Sequence, residues 1–236
     1  MDKTGLLEIR QLNVWYTPGN NVLSDFCVDL QPHEVVGLIG LNGAGKTTFI
    51  KTLSGILDTY NAGSLLWRGR PLSFRDREFK RSRYTVFSDD AVFSYFTFRE
   101  YLAYAAASYG RTATDVDSLM AGFHFEAYAD TLMGELSTGN IKKACLITAF
   151  ALKPELLLLD EPVNGLDFQS TEYLYALIND YRAHGTILFS SHILESICLT
   201  SDRVLVLEDG RISRTFRGND IDSAAIREVL RYDGSI

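Results

Sequence analysis

Residues 40–47 read GLNGAGKT, and this stretch decides the fold. It satisfies the phosphate-loop pattern G-x-x-x-x-G-K-[ST] at every fixed position. Before it, Val35-Val36-Gly37-Leu38-Ile39 is an apolar run that reads as a buried strand. After it, Thr48-Phe49-Ile50-Lys51-Thr52-Leu53 reads as the first turns of a helix. A strand feeding a glycine loop at a helix N-terminus builds an anion site, because unpaired N–H groups converge there with the positive end of the helix dipole. Gly40, Gly43 and Gly45 allow the backbone to approach a phosphate closely, and Asn42 and Ala44 complete the loop that would line it. Lys46 can neutralise β- and γ-phosphates, and the Thr47 hydroxyl can ligate Mg²⁺.

Working outward, 236 residues make one large α/β domain, or one core with a subdomain. A hydrophobic content of 46% suffices for a sizeable core. The net charge of −7 argues against sequence-independent nucleic-acid binding, which needs a basic face. No apolar run approaches the ~18–20 residues of a membrane span. The opening MDKTGLLEIRQ lacks the charged-then-apolar pattern of a signal peptide. The expectation is a cytoplasmic chain whose membrane role, if any, comes through a partner. Cys27, Cys145 and Cys198 lack metal-ligand spacing and read as small buried hydrophobes. His33, His124 and His184 are unclustered and read as surface or packing residues.

Leu6–Trp15 and Val22–Leu30 read as strands separated by the turn cluster Thr17–Asn21, and Ser64–Arg68 as another. Phe98–Tyr109 and Thr114–Phe123 read as helices. Ile141–Leu152 reads as a helix ended near Pro154, and Leu156–Leu159 as a central parallel strand. Thr171–His184 reads as a helix stopped by Gly185, and Thr186–Ser190 as a buried strand. Val204–Leu207 and Arg211–Phe216 flank the hairpin signal Asp209-Gly210, and Asp222–Tyr232 reads as a closing helix. The domain expectation is a core of residues 1–87 and 137–236, with about 88–136 inserted as a helical subdomain.

Leu156-Leu157-Leu158-Leu159-Asp160-Glu161-Pro162 places two acids at the end of a buried strand. Ligands of parallel α/β sheets bind beyond the carboxyl ends of the strands, so both acids can face the phosphate loop. One can hold Mg²⁺, and the other can position and deprotonate a water. Leu136-Ser137-Thr138-Gly139-Asn140 precedes this pair, Asn164-Gly165-Leu166-Asp167 follows it, and Ser190-Ser191-His192 ends the next strand. In this order, from about Leu6 to Ile212, the set resembles the nucleotide-binding subunit of ATP-binding cassette (ABC) transporters.

The resemblance implies a P-loop NTPase core with a mixed or parallel sheet flanked by helices, an N-terminal antiparallel β subdomain and an inserted helical subdomain. It implies that ATP and Mg²⁺ bind, with Tyr16 stacking on adenine and Lys46, Thr47 and Thr48 holding phosphates and metal. Asp160 would organise Mg²⁺, Glu161 would act as general base, and His192 would contact the γ-phosphate. Ser137 and Gly139 would open a helix that caps the γ-phosphate bound to a second ATP-binding subunit, in a homo- or heterodimer, with Asp167 at the interface. Ser137 also suits that place physically, as a good N-cap on a helix whose dipole favours an anion. The remaining partner would be an integral membrane permease subunit, which would hold the chain peripherally at the inner face of the membrane.

The chain departs from the family pattern. Thr138 and Asn140 replace a Gly and a Gln of the signature, and His33 stands at a turn position where glycine is usual. Ser88 stands where the family has a glutamine that touches Mg²⁺ and the attacking water. Two rivals therefore remain beside a transport ATPase: an ABC-type ATPase of a non-transport assembly, and a regulatory subunit that holds ATP with little turnover. The seven cations Arg68, Arg70, Arg75, Arg77, Lys80, Arg81 and Arg83 read as a solvated face, with contact to anionic lipid or an acidic partner loop as the alternative. Phe93, Tyr95, Phe96, Phe98, Tyr101, Tyr104 and Tyr109 suit both a subdomain core and a docking groove for the membrane subunit. The compact layout and Thr97–Leu102 look more like exporters than importers.

Overall fold

The computed structural model describes residues 5–87 and 93–231. Two long strands, β1 (Leu7–Thr17) and β2 (Asn20–Leu30), pair antiparallel around a turn at Pro18-Gly19. The chain continues through β3 (Val35–Ile39), α1 (Lys46–Leu53), β4 (Tyr60–Asn61), β5 (Ser64–Trp67) and β6 (Arg70–Pro71). Next come α2 (Arg77–Ser82), β7 (Arg83–Val86), α3 (Phe98–Tyr109), α4 (Val116–Gly122) and α5 (Thr138–Leu152). The order closes with β8 (Leu156–Asp160), α6 (Phe168–Asp180), β9 (Thr186–Ser190), α7 (Leu194–Thr200), β10 (Arg203–Glu208), β11 (Arg211–Arg217) and α8 (Ser223–Arg231).

These strands form two sheets. The first is antiparallel, in the order β2-β1-β5-β6 with β4 attached to β1. The second has the order β11-β10-β3-β9-β8-β7, parallel except for the edge hairpin strand β11. Its central strands are apolar along their length because both faces are covered. Val36, Leu38, Leu156, Leu158 and Leu188 point towards the antiparallel sheet, where α1 adds Phe49, Ile50 and Leu53. Val35, Ile39, Leu157, Leu159, Ile187 and Phe189 point the other way, into a core shared with α3–α7. The P-loop NTPase architecture expected from the sequence is therefore present.

Several boundaries differ from expectation. α5 starts at Thr138 and α6 at Phe168, three residues before the apolar periodicity begins in each. In both, a side-chain cap fixes the start: Ser137 Oγ accepts from Asn140 N at 3.3 Å, and Asp167 Oδ1 accepts from Ser170 N at 2.8 Å. β7 has no counterpart in the sequence reading. Its first residue, Arg83, is buried rather than part of a solvated face, with the guanidinium 4.4 Å from the Phe79 ring centre and donating to Phe74 O at 3.0 Å. Cys27 is exposed, because Phe26 and Val28 on either side take the buried face of β2. His33 adopts φ 62°, the left-handed conformation that glycine usually supplies at a turn. Ser88 and Tyr232 lie outside the described residues.

Candidate functional site

Three neighbouring strands, in the order β3-β9-β8, deliver the candidate residues at their carboxyl ends. β3 runs into the glycine loop, and α1 leaves it at Lys46 with no side-chain N-cap. The first N–H groups of α1 are therefore available to an anion. Gly45 has φ 107°, and a Cβ on Gly40 would lie 2.3 Å from Leu207 O, so neither position accepts a side chain. Lys46 is 7% exposed. Its Nζ donates to Gly40 O at 2.7 Å and Leu41 O at 3.2 Å, which holds the ammonium inside the loop. Burial lowers its pKa, and the nearby carboxylates of Glu161 and Asp160 oppose that shift.

One line of hydrogen bonds joins the residues read from the sequence. Thr47 Oγ1 donates to Asp160 Oδ1 at 3.1 Å, and Ser190 Oγ donates to the same oxygen at 2.7 Å. Ser190 Oγ accepts from Glu161 N at 3.0 Å. Glu161 Oε2 accepts from His192 N at 3.3 Å and lies 2.8 Å from His192 Nδ1. Glu161 has φ 49°, a strained conformation for a non-glycine residue, at the turn leaving β8. Tyr16, at 55% exposure, puts its hydroxyl 3.3 Å from Thr48 Oγ1, so the ring lies open beside the start of α1.

Asp160 is fully buried, and its Oδ2 has no hydrogen-bond partner. An orphaned buried carboxylate oxygen beside a threonine hydroxyl fits a hard cation. Among the described residues no cluster of three His, Cys, Asp or Glu could cage a metal alone. That suits Mg²⁺, which is held through one or two carboxylates together with substrate phosphates. Asp160→Asn should then abolish the Mg²⁺-dependent gain in ATP affinity and spare binding in EDTA. Titration of a fluorescent ATP analogue with and without Mg²⁺ measures both quantities, and an undiminished Mg²⁺ effect would exclude Asp160 from the metal site.

Ser137 and Gly139 stand apart from this line. A Cβ on Gly139 would lie 2.7 Å from Gly165 O, so the start of α5 packs on the loop that follows Glu161. One helical turn further, Lys143 Nζ lies 2.6 Å from Asp167 Oδ2. This bond from Lys143, backed by the bonds from Ser170, holds the Asp167 carboxyl far below the usual carboxylate range. Gly139→Ala should force backbone apart at a cost of about 1–3 kcal/mol. Urea unfolding should show that loss, with ATP binding to the isolated chain unchanged; undiminished stability would mean that the contact relaxes freely.

Sequence reading gave no role to two residues of this arrangement. Ser190 ties Glu161 to Asp160; its only signal was a serine ending a buried strand two residues before His192. Lys143 is visible only as a cation four residues after Gly139, on the same helix face.

The family model for ABC transporters matches residues 23–164. The chain is 34% identical over 217 residues to the putative ABC transporter ATP-binding protein AlbC of Bacillus subtilis strain 168, covering 89% of this chain and 90% of AlbC. It is 36% identical to Nod factor export ATP-binding protein I of Burkholderia pseudomallei strain 1710b, covering 80% of this chain and 64% of that one. A relative named for phosphate import, from Mycoplasma genitalium strain G37, matches as well, at 28% identity. A solved structure described as the ATP-binding subunit of an ABC transporter superposes with a TM-score of 0.83 at 30% identity, covering 96% of this chain and 94% of that one. The chain belongs to the ABC transporter family. Within it, this is a nucleotide-binding chain of the ATP-binding subunit type.

Proposed function

We propose that this chain hydrolyses ATP in a head-to-tail dimer and drives a separate integral membrane permease, in export rather than import. The observation that carries the reading is the hydrogen-bonded line from Thr47 to His192, with the helix start at Ser137 set apart from it. The line holds the nucleotide loop, a candidate metal carboxylate and a candidate base in one rigid unit. Ser137 and Gly139 do not join it, so they are free to cap the γ-phosphate held by a second copy or a related subunit. The export direction draws support from the relative named for Nod factor export.

In this reading Lys46 and the N–H groups of the loop bind the phosphates, and Tyr16 offers its ring to adenine. Thr47 and Asp160 would hold Mg²⁺, which neutralises charge on the phosphates. Glu161 takes the proton of the attacking water as the water oxygen bonds to the γ-phosphorus, and the bond to the β-phosphate oxygen breaks to release ADP. His192 holds the Glu161 carboxylate through its N–H, which fixes the direction of proton transfer. Among the described residues no helix is long and apolar enough to cross a membrane. The permease partner, in this reading, keeps the chain at the inner face of the membrane.

Ser88 in the glutamine position favours a second reading, a low-turnover regulatory subunit. Phosphate release at saturating Mg-ATP separates the two. Turnover per chain that rises with protein concentration supports a hydrolysing two-subunit site. Negligible turnover at every concentration, with normal ATP binding, supports the regulatory reading.

A further inference from the structure

We infer that Ser191 and Ser196 are positioning residues for His192. A closed ring of hydrogen bonds through their hydroxyls fixes the backbone on both sides of the imidazole, and with it the partner of the Glu161 carboxylate. This rests on the hydrolysis reading above and specifies what holds His192 in place.

Packing does not hold His192. Its side chain is 52% exposed, and Nδ1 meets Glu161 Oε2 at 2.8 Å. An imidazole so open to solvent keeps that geometry only if the chain beneath it is fixed. The fixed points lie on either side. Ser191 is fully buried, and Ser196 of α7 is 1% exposed. Ser191 Oγ accepts from Ile193 N at 3.0 Å. The Ser191 and Ser196 hydroxyls lie 2.8 Å apart, and Ser196 Oγ donates to Ile193 O at 2.7 Å. A carbonyl only accepts and a hydroxyl carries one proton, so the proton between the two hydroxyls is that of Ser191. The ring thus runs from Ile193 N to Ser191, on to Ser196 and back to Ile193 O, with every donor used. Ser191 N donates to Leu38 O at 3.1 Å, which anchors the ring to β3, the strand that enters the glycine loop. His192 N, between the two fixed residues, donates to Glu161 Oε2 at 3.3 Å.

A bond from a helix hydroxyl to a carbonyl one turn earlier is common. Thr200 Oγ1 makes one to Ser196 O at 2.7 Å, and Thr200 is equally buried. Ser196 differs because its oxygen also takes the Ser191 proton, and so reaches the residue before His192. Without that oxygen the buried Ser191 proton needs another acceptor. Ile193 O, 3.4 Å from Ser191 Oγ, can serve only if the loop closes up around His192.

The test measures phosphate release at saturating Mg-ATP, equilibrium ATP binding and urea unfolding in the full chain. Ser191→Ala and Ser196→Ala should each slow release about tenfold with ATP affinity within about twofold, and the double variant should be no slower than the worse single. Thr200→Val should lose stability as Ser196→Ala does and keep its rate. The chain has four histidines, so the NMR signal of the His192 imidazole is assigned by its absence from His192→Ala. That signal should move in Ser196→Ala and stay in Thr200→Val. Where Ser191→Ala fails to fold, Ser196→Ala and the histidine signal carry the test. If Thr200→Val slows release as much, or the serine variants lose rate and ATP affinity together, the ring only stabilises α7 and the proposal is wrong. A still histidine signal in Ser196→Ala, or an unchanged rate there beside a slow His192→Ala, overturns the ring alone. An undiminished rate in His192→Ala overturns the role of His192 in the hydrolysis reading and the ring with it. If the parent chain releases no phosphate, the hydrolysis reading fails and the histidine signal alone judges the ring.

Discussion

Replacing Glu161 by glutamine is expected to lower phosphate release by about 10²–10⁴-fold while ATP affinity stays within about twofold. The amide keeps the shape of the side chain and an oxygen that can accept from His192 N, the bond that now reaches Oε2 at 3.3 Å. It removes the basicity together with the negative charge. The ammonium of the glycine loop is hydrogen-bonded to Gly40 O and Leu41 O rather than to Glu161, whose carboxylate acts on it through charge alone. The two functions should therefore separate cleanly in single-turnover phosphate release measured beside equilibrium nucleotide binding. A comparable fall in both would show that Glu161 shapes the binding site rather than serving as its base.

Lys46→Ala should do the opposite, weakening ATP roughly ten- to hundredfold, the worth of about 1.5–3 kcal/mol for hydrogen bonds from a charged donor. The buried Lys46 side chain is the only cation among the residues that line this loop, and it also ties the loop to itself. Its loss costs both the charge presented to phosphate and the rigidity of the loop backbone. Titration with a fluorescent ATP analogue checks this, with thermal unfolding to confirm that the variant folds. Unchanged affinity would remove Lys46 from the phosphate site.

The strength of the sequence signal differed from element to element for physical reasons. β3, β8 and β9 were plain because strands covered on both faces are largely apolar, and the glycine loop was plain because Leu207 O beside Gly40 and the φ of 107° at Gly45 exclude side chains at its fixed glycines. The start of α6 was hidden, since Phe168-Gln169-Ser170 carries no apolar period and only the cap at Asp167 marks it; Thr138-Gly139-Asn140 carries none either, and the start of α5 was legible only through Ser137 as an N-cap. β7 was hidden because its leading arginine looks like surface until Phe79 and the carbonyl of Phe74 are folded against it. Lys46, Thr47, Asp160, Glu161 and His192 were legible as motif positions, and the folded chain brings the last four into one hydrogen-bonded line through Ser190. Ser190 and Lys143, which fasten that line and the start of α5, were not, because their roles depend on partners some 30 and 24 residues away. The proposed function of Ser137 and Gly139 needs a second subunit, which one chain cannot display.

The central claim is that two subunits complete each ATP site, and the molecular mass of Glu161→Gln in solution tests it most directly. Light scattering in saturating Mg-ATP should give about twice the 26.4 kDa of one chain, falling back to the single-chain mass in Mg-ADP and in the Lys46→Ala/Glu161→Gln double variant. A single-chain mass for Glu161→Gln at saturating Mg-ATP, in a protein that binding measurements show to be occupied by ATP, would contradict it.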